Sequence, residues 1–146
     1  YEIRVCEIGI FAELYFSSDS YVTNPQYLLT LHDSDPEDDD PLCTCIVALM
    51  QMYKRENKDK GVQLLSIGFC VYEADRKSDS KITAENLRYC KEVARSNSFI
   101  NLREVSGRFR LQPGRYIVVP STFNPNEESQ FLLRVFANGP VEMKPL

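Results

Sequence analysis

Short apolar runs separated by turn residues dominate the chain. Tyr27–Leu31 (YLLTL) follows Asn24-Pro25, and Cys43–Met50 (CTCIVALM) resumes after a polar break. Leu64–Tyr72 (LLSIGFCVY) is long and rich in β-formers, with Gly68 inside it, where a glycine often marks a bulge or bend. Phe99–Val105 alternates imperfectly. Arg108–Leu111 and Arg115–Val119 flank Gln112-Pro113-Gly114. Pro followed by Gly is the signature of a type II turn, so these two runs are expected to form a hairpin. Its Arg108, Arg110 and Arg115 would share one wet face, opposite Phe109, Leu111 and Tyr116. Phe131–Phe136 (FLLRVF) and the shorter Val141–Met143 complete the series.

About eight short strands with turn signals between them predict an all-β fold, an antiparallel β-sandwich. Its expected core draws on Phe69, Val71, Phe109, Leu111, Tyr116, Val118, Phe131 and Leu133. One segment dissents. Ile82–Arg95 places Ile82, Leu87, Cys90, Val93 and Ala94 among good helix formers, and reads as a short helix or an irregular crossover.

Composition fits this picture. At 146 residues, with 43% hydrophobic and 26% charged, the chain has the size and make-up of one ordinary globular domain. No run approaches the roughly 20 apolar residues of a membrane span. The opening has neither an initiator Met nor a signal pattern, so the chain reads as a piece of a longer protein. The five cysteines cannot all pair, which favours reduced thiols and a cytoplasmic setting.

Charge is unevenly placed. Net charge is −4, yet Asp33, Asp35, Glu37, Asp38, Asp39 and Asp40 hold six of the 21 acidic residues in one loop. The rest of the chain is slightly basic, and nucleic acid is a poor partner for that loop. At about 6 Å in water each neighbouring carboxylate pair costs roughly 0.7 kcal/mol, so the loop gains from a counter-charge. Calcium, which takes six to eight oxygen ligands in flexible geometry, is one candidate. The basic segment containing Lys54, Arg55, Lys58 and Lys60 is another, with anionic lipid headgroups as its own alternative target. The loop does not have EF-hand spacing, lacking Gly at the sixth position and Glu at the twelfth.

Enzyme chemistry finds little support. A thiol protease needs a histidine to activate its cysteine, and the single histidine, His32, sits beside the acidic loop. Cys43 and Cys45 point to the same strand face, but no second ligand pair completes a zinc site. Buried apolar thiols are the better reading. There is no glycine-rich phosphate loop.

The C-terminal half carries a resemblance. Phe99-Ile100-Asn101-Leu102-Arg103-Glu104-Val105-Ser106 is followed by Arg108-Phe109-Arg110-Leu111-x-Pro113-Gly114-x-Tyr116-x-Val118-Val119-Pro120-Ser121-Thr122-Phe123-x-Pro125-Asn126-Glu127. Upstream, Asn24-Pro25-Gln26, the acidic loop, Ala48-Leu49-Met50-Gln51 and Ile67-Gly68-Phe69-x-Val71-Tyr72-Glu73 stand in the same order. This series resembles the third domain of calpain large subunits, from about Tyr21 to Phe136. Residues 1–20 depart from that family's Trp- and Gly-rich approach. They read as a divergent lead-in or the end of a preceding domain, with 21–146 as the sandwich.

The resemblance implies an architecture similar to the calcium- and phospholipid-binding modules of protein kinase C. It also implies a non-catalytic regulatory role in a calcium-dependent cysteine protease whose catalytic residues lie outside this chain. The implied partners are the protease core and EF-hand domain of the same polypeptide and anionic phospholipid membranes, joined by calcium-dependent membrane association. A stand-alone calcium-dependent phospholipid-binding module is the alternative.

Overall fold

The computed structural model describes the backbone of residues 2–10 and the whole of residues 21–33, 37, 39–52, 61, 63–124 and 127–146. Among these, nine strands form two antiparallel sheets. They are β1 (Glu2–Ile10), β2 (Tyr27–Leu31), β3 (Cys43–Gln51), β4 (Ile67–Glu73), β5 (Glu92–Arg95), β6 (Glu104–Leu111), β7 (Gly114–Thr122), β8 (Gln130–Ala137) and β9 (Val141–Pro145). One sheet has the order β1-β8-β3-β6 and the other β5-β4-β7-β2-β9.

Alternation explains the layer between the sheets. In β3 every second residue from Cys43 to Leu49 turns inward, and β8 does the same through Phe131, Leu133, Val135 and Ala137. They meet Leu29, Phe69, Val71, Tyr116 and Val118 of the five-stranded sheet. Two edge-to-face ring pairs cross the layer, Tyr27 with Phe131 at 6.3 Å and Phe69 with Phe109 at 6.1 Å. Such pairs contribute about 0.5–1.5 kcal/mol beyond their area burial. The expected core residues are all in this layer, with Phe109 and Leu111 only half-buried because β6 is an edge strand.

The five-stranded sheet is covered on its second face as well. Leu28, Cys70, Tyr72, Ile117 and Val119 point outward from it and are buried under Tyr21 and Ile82. The cover is the strap between β4 and β5, where the sequence suggested a helix. The strap is irregular apart from a single 3₁₀ turn at Leu87–Tyr89, and its last residues form β5. Its apolar positions lie flat on a sheet and make no helical face. Gln26 fastens the strap, donating to the carbonyls of Val22 (3.0 Å) and Ile82 (2.9 Å) and accepting from Ile82 N–H (2.7 Å). Arg115 holds it from below, donating to the carbonyls of Asp75 (3.1 Å) and Arg76 (2.9 Å) and pairing with Asp79. Lys144 reaches the same carboxylate at 2.6 Å, and this hydrogen bond, with Arg115 beside it, lowers the Asp79 pKa.

The expected hairpin does not form. β6 pairs with β3, whereas β7 pairs with β2 and β4 in the other sheet. Gln112-Pro113-Gly114 is therefore a corner between layers. Gly114 does not take the left-handed φ that a type II turn demands. The Tyr116 hydroxyl donates to the Gln112 carbonyl at 2.7 Å and locks the corner, as in the tyrosine corners of other sandwiches. Arg115 consequently lies on a different sheet from Arg108 and Arg110.

Strand bounds also shift. β4 begins at Ile67, not Leu64, and β6 begins at Glu104, leaving Ile100 to make an isolated bridge with Ile67. Gly68 marks no bulge, since β4 pairs with β7 without interruption. Its role is close approach: a Cβ there would sit 2.8 Å from both the Phe99 ring and Ser96 Oγ. Ser96 Oγ in turn accepts the Phe69 N–H at 3.2 Å. Pro120 is tolerated inside β7 because β2 starts at Tyr27, opposite Val118, and nothing beyond it needs the missing N–H.

Gln51 ends β3 and ties three segments together. Its amide donates to the Leu65 and Leu102 carbonyls, both at 2.8 Å, and accepts from Leu65 N–H at 3.0 Å. Replacing it with Leu leaves these buried groups unpaired and should cost about 3 kcal/mol. Gly68→Ala should cost about 1–3 kcal/mol through overpacking against Phe99 and Ser96. Urea unfolding of each variant measures both, and a loss below about 0.5 kcal/mol in either would contradict the packing described.

Candidate functional site

The acidic loop joins β2 to β3 and so passes from one sheet to the other. Both of its roots are fixed. On the β2 side, His32 N–H donates to the Pro140 carbonyl at 3.1 Å. On the β3 side, Asn138 and Thr44 exchange hydrogen bonds: Thr44 N–H donates to Asn138 Oδ1 (2.9 Å) and Asn138 N–H to the Thr44 carbonyl (3.0 Å).

Of the six predicted acids, Asp33 is half-buried and Glu37, Asp39 and Asp40 are exposed, while Asp35 and Asp38 lie outside the described residues. Asp40 makes two contacts at the loop's exit. Its Oδ1 accepts Leu42 N–H at 3.2 Å, a local turn of the kind Asp favours, and its Oδ2 pairs with Arg110 of β6. Arg110 stands opposite Thr44 in the ladder, which brings it to the loop's exit. Among the described residues no group of three or more His, Cys, Asp or Glu side chains could hold a metal ion.

The basic residues Lys54, Arg55, Lys58 and Lys60 also lie outside the described residues. Their flanks are fixed nonetheless. Met52 follows the far end of β3, where its N–H donates to the Gln130 carbonyl at 2.9 Å. The acidic loop enters β3 at the other end, so nine residues of strand, about 30 Å, separate the two attachment points. The counter-charge found at Asp40 is Arg110, a residue that sequence reasoning assigned to a wet sheet face. Seventy positions of sequence separation hid the pair.

His32 and the thiols form no catalytic constellation among the described residues. The imidazole is exposed, 3.9 Å from Glu142, and Cys43 Sγ donates to the His32 carbonyl at 3.3 Å, not to its ring. Cys43, Cys45, Cys70 and Cys90 are free thiols. Burial pushes Cys45 and Cys70 up to about 12, the opposite of an activated nucleophile. The hydroxyls of Tyr21 and Tyr72, 3.3 Å apart beneath the strap, are also raised by burial. Among the described residues no helix is long and apolar enough to cross a membrane.

Comparison with known proteins gives a consistent result. A family model described as calpain large subunit, domain III, matches residues 15–136. The chain is 48% identical over 127 residues to calpain clp-1 of Caenorhabditis elegans, covering 87% of this chain and 16% of that protein. It is 51% identical over 118 residues to calpain-B of Drosophila melanogaster, covering 78% and 12%. To human calpain-9 it is 45% identical over 119 residues, covering 82% and 17%. The chain thus spans less than a fifth of the length of these relatives.

Two outcomes follow from this chemistry. The Arg110–Asp40 pair is about half exposed on both sides, so Arg110→Gln should change stability by less than about 1 kcal/mol, and less again in high salt. A larger, salt-insensitive loss would mean that the pair is structural. The raised thiols favour the neutral, folded form. Their contribution is complete below the ordinary thiol value of 9.0 and is lost as pH rises toward about 12. Stability measured by urea unfolding should therefore fall steadily across that alkaline window, and Cys45→Ala with Cys70→Ala should flatten the fall. An equally steep decline in the double variant would assign it elsewhere.

Proposed function

The chain belongs to the domain III family of calpain large subunits, and from that premise we propose that it is a non-catalytic regulatory and structural domain of a calcium-dependent cysteine protease. It couples calcium or anionic phospholipid binding to the protease core through its acidic loop and through charge pairs made with neighbouring domains. The observation that supports this reading best is the loop itself. A concentrated negative segment hangs from two fixed roots at one end of a rigid sandwich, with Glu37, Asp39 and Asp40 on the surface.

Such a loop acts at its margin. Its self-repulsion is relieved by whatever cation approaches, whether calcium, Arg110 or a basic group on the protease core or EF-hand domain. Held by one loop and not by a preorganised cage, calcium would bind with a Kd of about 10⁻⁴ to 10⁻³ M. Asp33, Asp35, Glu37, Asp38, Asp39 and Asp40 supply the oxygens. Lys54, Arg55, Lys58 and Lys60, in the segment that follows β3 in sequence, serve anionic headgroups at about 1 kcal/mol each. The protein works in the cytoplasm and meets membranes when calcium rises.

Neutralising Asp38, Asp39 and Asp40 to Asn tests the loop. Stability of the isolated chain should stay level or rise slightly at low salt, as repulsion is removed. In the full-length protease the calcium concentration for half-maximal activation should shift. An unaltered calcium requirement, together with no calcium-induced spectral change at these residues in the wild-type chain, would reduce the loop to solvated surface.

A further inference from the structure

β6 is an edge strand: β3 pairs with one side of it and, among the described residues, no strand pairs with the other. The ladder decides which of its backbone groups are free. Gln51 N–H donates to the Arg103 carbonyl at 2.8 Å, so Gln51 and Arg103 form a hydrogen-bonded pair. Antiparallel pairs alternate, and the register then turns Val105, Gly107, Phe109 and Leu111 toward β3. Glu104, Ser106, Arg108 and Arg110 present their N–H and C=O groups outward along the open edge. The same four side chains lie on the sheet's outer face, where Ser106, Arg108 and Arg110 are exposed.

Two further features flank this edge. Arg110 is engaged by Asp40 and Glu104 by Arg134 at 2.6 Å, but among the described residues no carboxylate pairs with Arg108. On the inner side, a groove of about 330 Å³ opens between the sheets, lined by Ser96, Ile100, Leu102, Glu104, Val105 and Ser106. Ile100 and Leu102 stand 39% and 50% exposed there. The platform is rigid, because Ile67 and Ile100 exchange backbone bonds (3.1 and 3.3 Å) and Gln51 holds the Leu102 carbonyl.

We propose that the open edge of β6 is a docking site for an extended peptide with acidic and apolar residues in alternation, which adds to the four-stranded sheet as a further strand. Backbone hydrogen bonds to Glu104, Ser106, Arg108 and Arg110 supply affinity. Period-two geometry supplies the selectivity. Side chains on the peptide's outer face fall beside Arg108, where a carboxylate is favoured by cross-strand pairing. Those on its inner face fall over the groove, where Ile100 and Leu102 favour apolar groups.

The test uses this 146-residue chain and two synthetic peptides of about seven residues, a common strand length. One alternates Glu with Val, the other Lys with Val. Heteronuclear NMR titration should show the Glu peptide shifting the Glu104, Ser106, Arg108 and Arg110 amides and protecting them from hydrogen exchange. The Lys peptide should bind about fivefold more weakly, the worth of one cross-strand charge pair at Arg108. Arg108→Glu, a surface change that leaves the amide spectrum dispersed, should reverse the preference. Equal affinity for the two peptides, or shifts away from β6, would overturn the proposal. So would concentration-dependent self-association of the free chain through these amides, because the occupant would then be a second copy.

Discussion

Burial of the β4–β7 pair on both faces is the constraint on which the rest of the structure depends. Phe69, Val71, Tyr116 and Val118 face the other sheet, while Cys70, Tyr72, Ile117 and Val119 face the strap. A sheet that is apolar on both sides must be covered on both sides. The four-stranded sheet covers one face. The other is covered by a segment with almost no regular structure, whose backbone groups therefore need individual partners. Gln26, Arg115 and the short β5 ladder supply them. Removing water from the outer face is what raises the Cys70 thiol and the Tyr72 phenol together.

This frame assigns chemistry to the margins of the sandwich. The acidic loop enters β3 at Cys43 and the chain leaves it at Gln51, so the two charged segments attach at opposite ends of one strand. An adjoining domain at one end and an anionic surface at the other would meet different charges, a layout suited to passing a signal along a stiff body. Arg110 is the exception that links strand and loop. It lends the Asp40 carboxylate a local partner on the four-stranded sheet.

Much of the frame is legible from period-two patterning. β8 alternates in burial along its length, and β2, β3, β4 and β7 read as strands from their apolar runs. What the pattern cannot carry is pairing. Pro113-Gly114 looks identical in a hairpin and in a corner between sheets, and only the partners of β6 and β7 decide which it is. The strap's apolar residues, from Ile82 to Cys90, have helical spacing by composition and lie on a sheet by context. β1 is not legible from the pattern, although Ile3 and Val5 alternate, because Glu7 and Ile8 break the period. The buried glutamines escape for another reason. Gln51 bonds Leu65 and Leu102, and Gln26 bonds Ile82, across 14 to 56 positions that no local pattern spans. The acidic loop was plain in the sequence as charge, but its partner Arg110 was not.

Native-state hydrogen exchange in graded denaturant tests the central claim, a doubly buried frame with open margins, most directly. Amides of β4 and β7 should exchange only through global unfolding and share its free energy. Along β6, protection should alternate, with Val105, Gly107 and Phe109 slow and Ser106, Arg108 and Arg110 fast. Exchange of the β4 and β7 amides through smaller openings, or uniform protection along β6, would contradict the account.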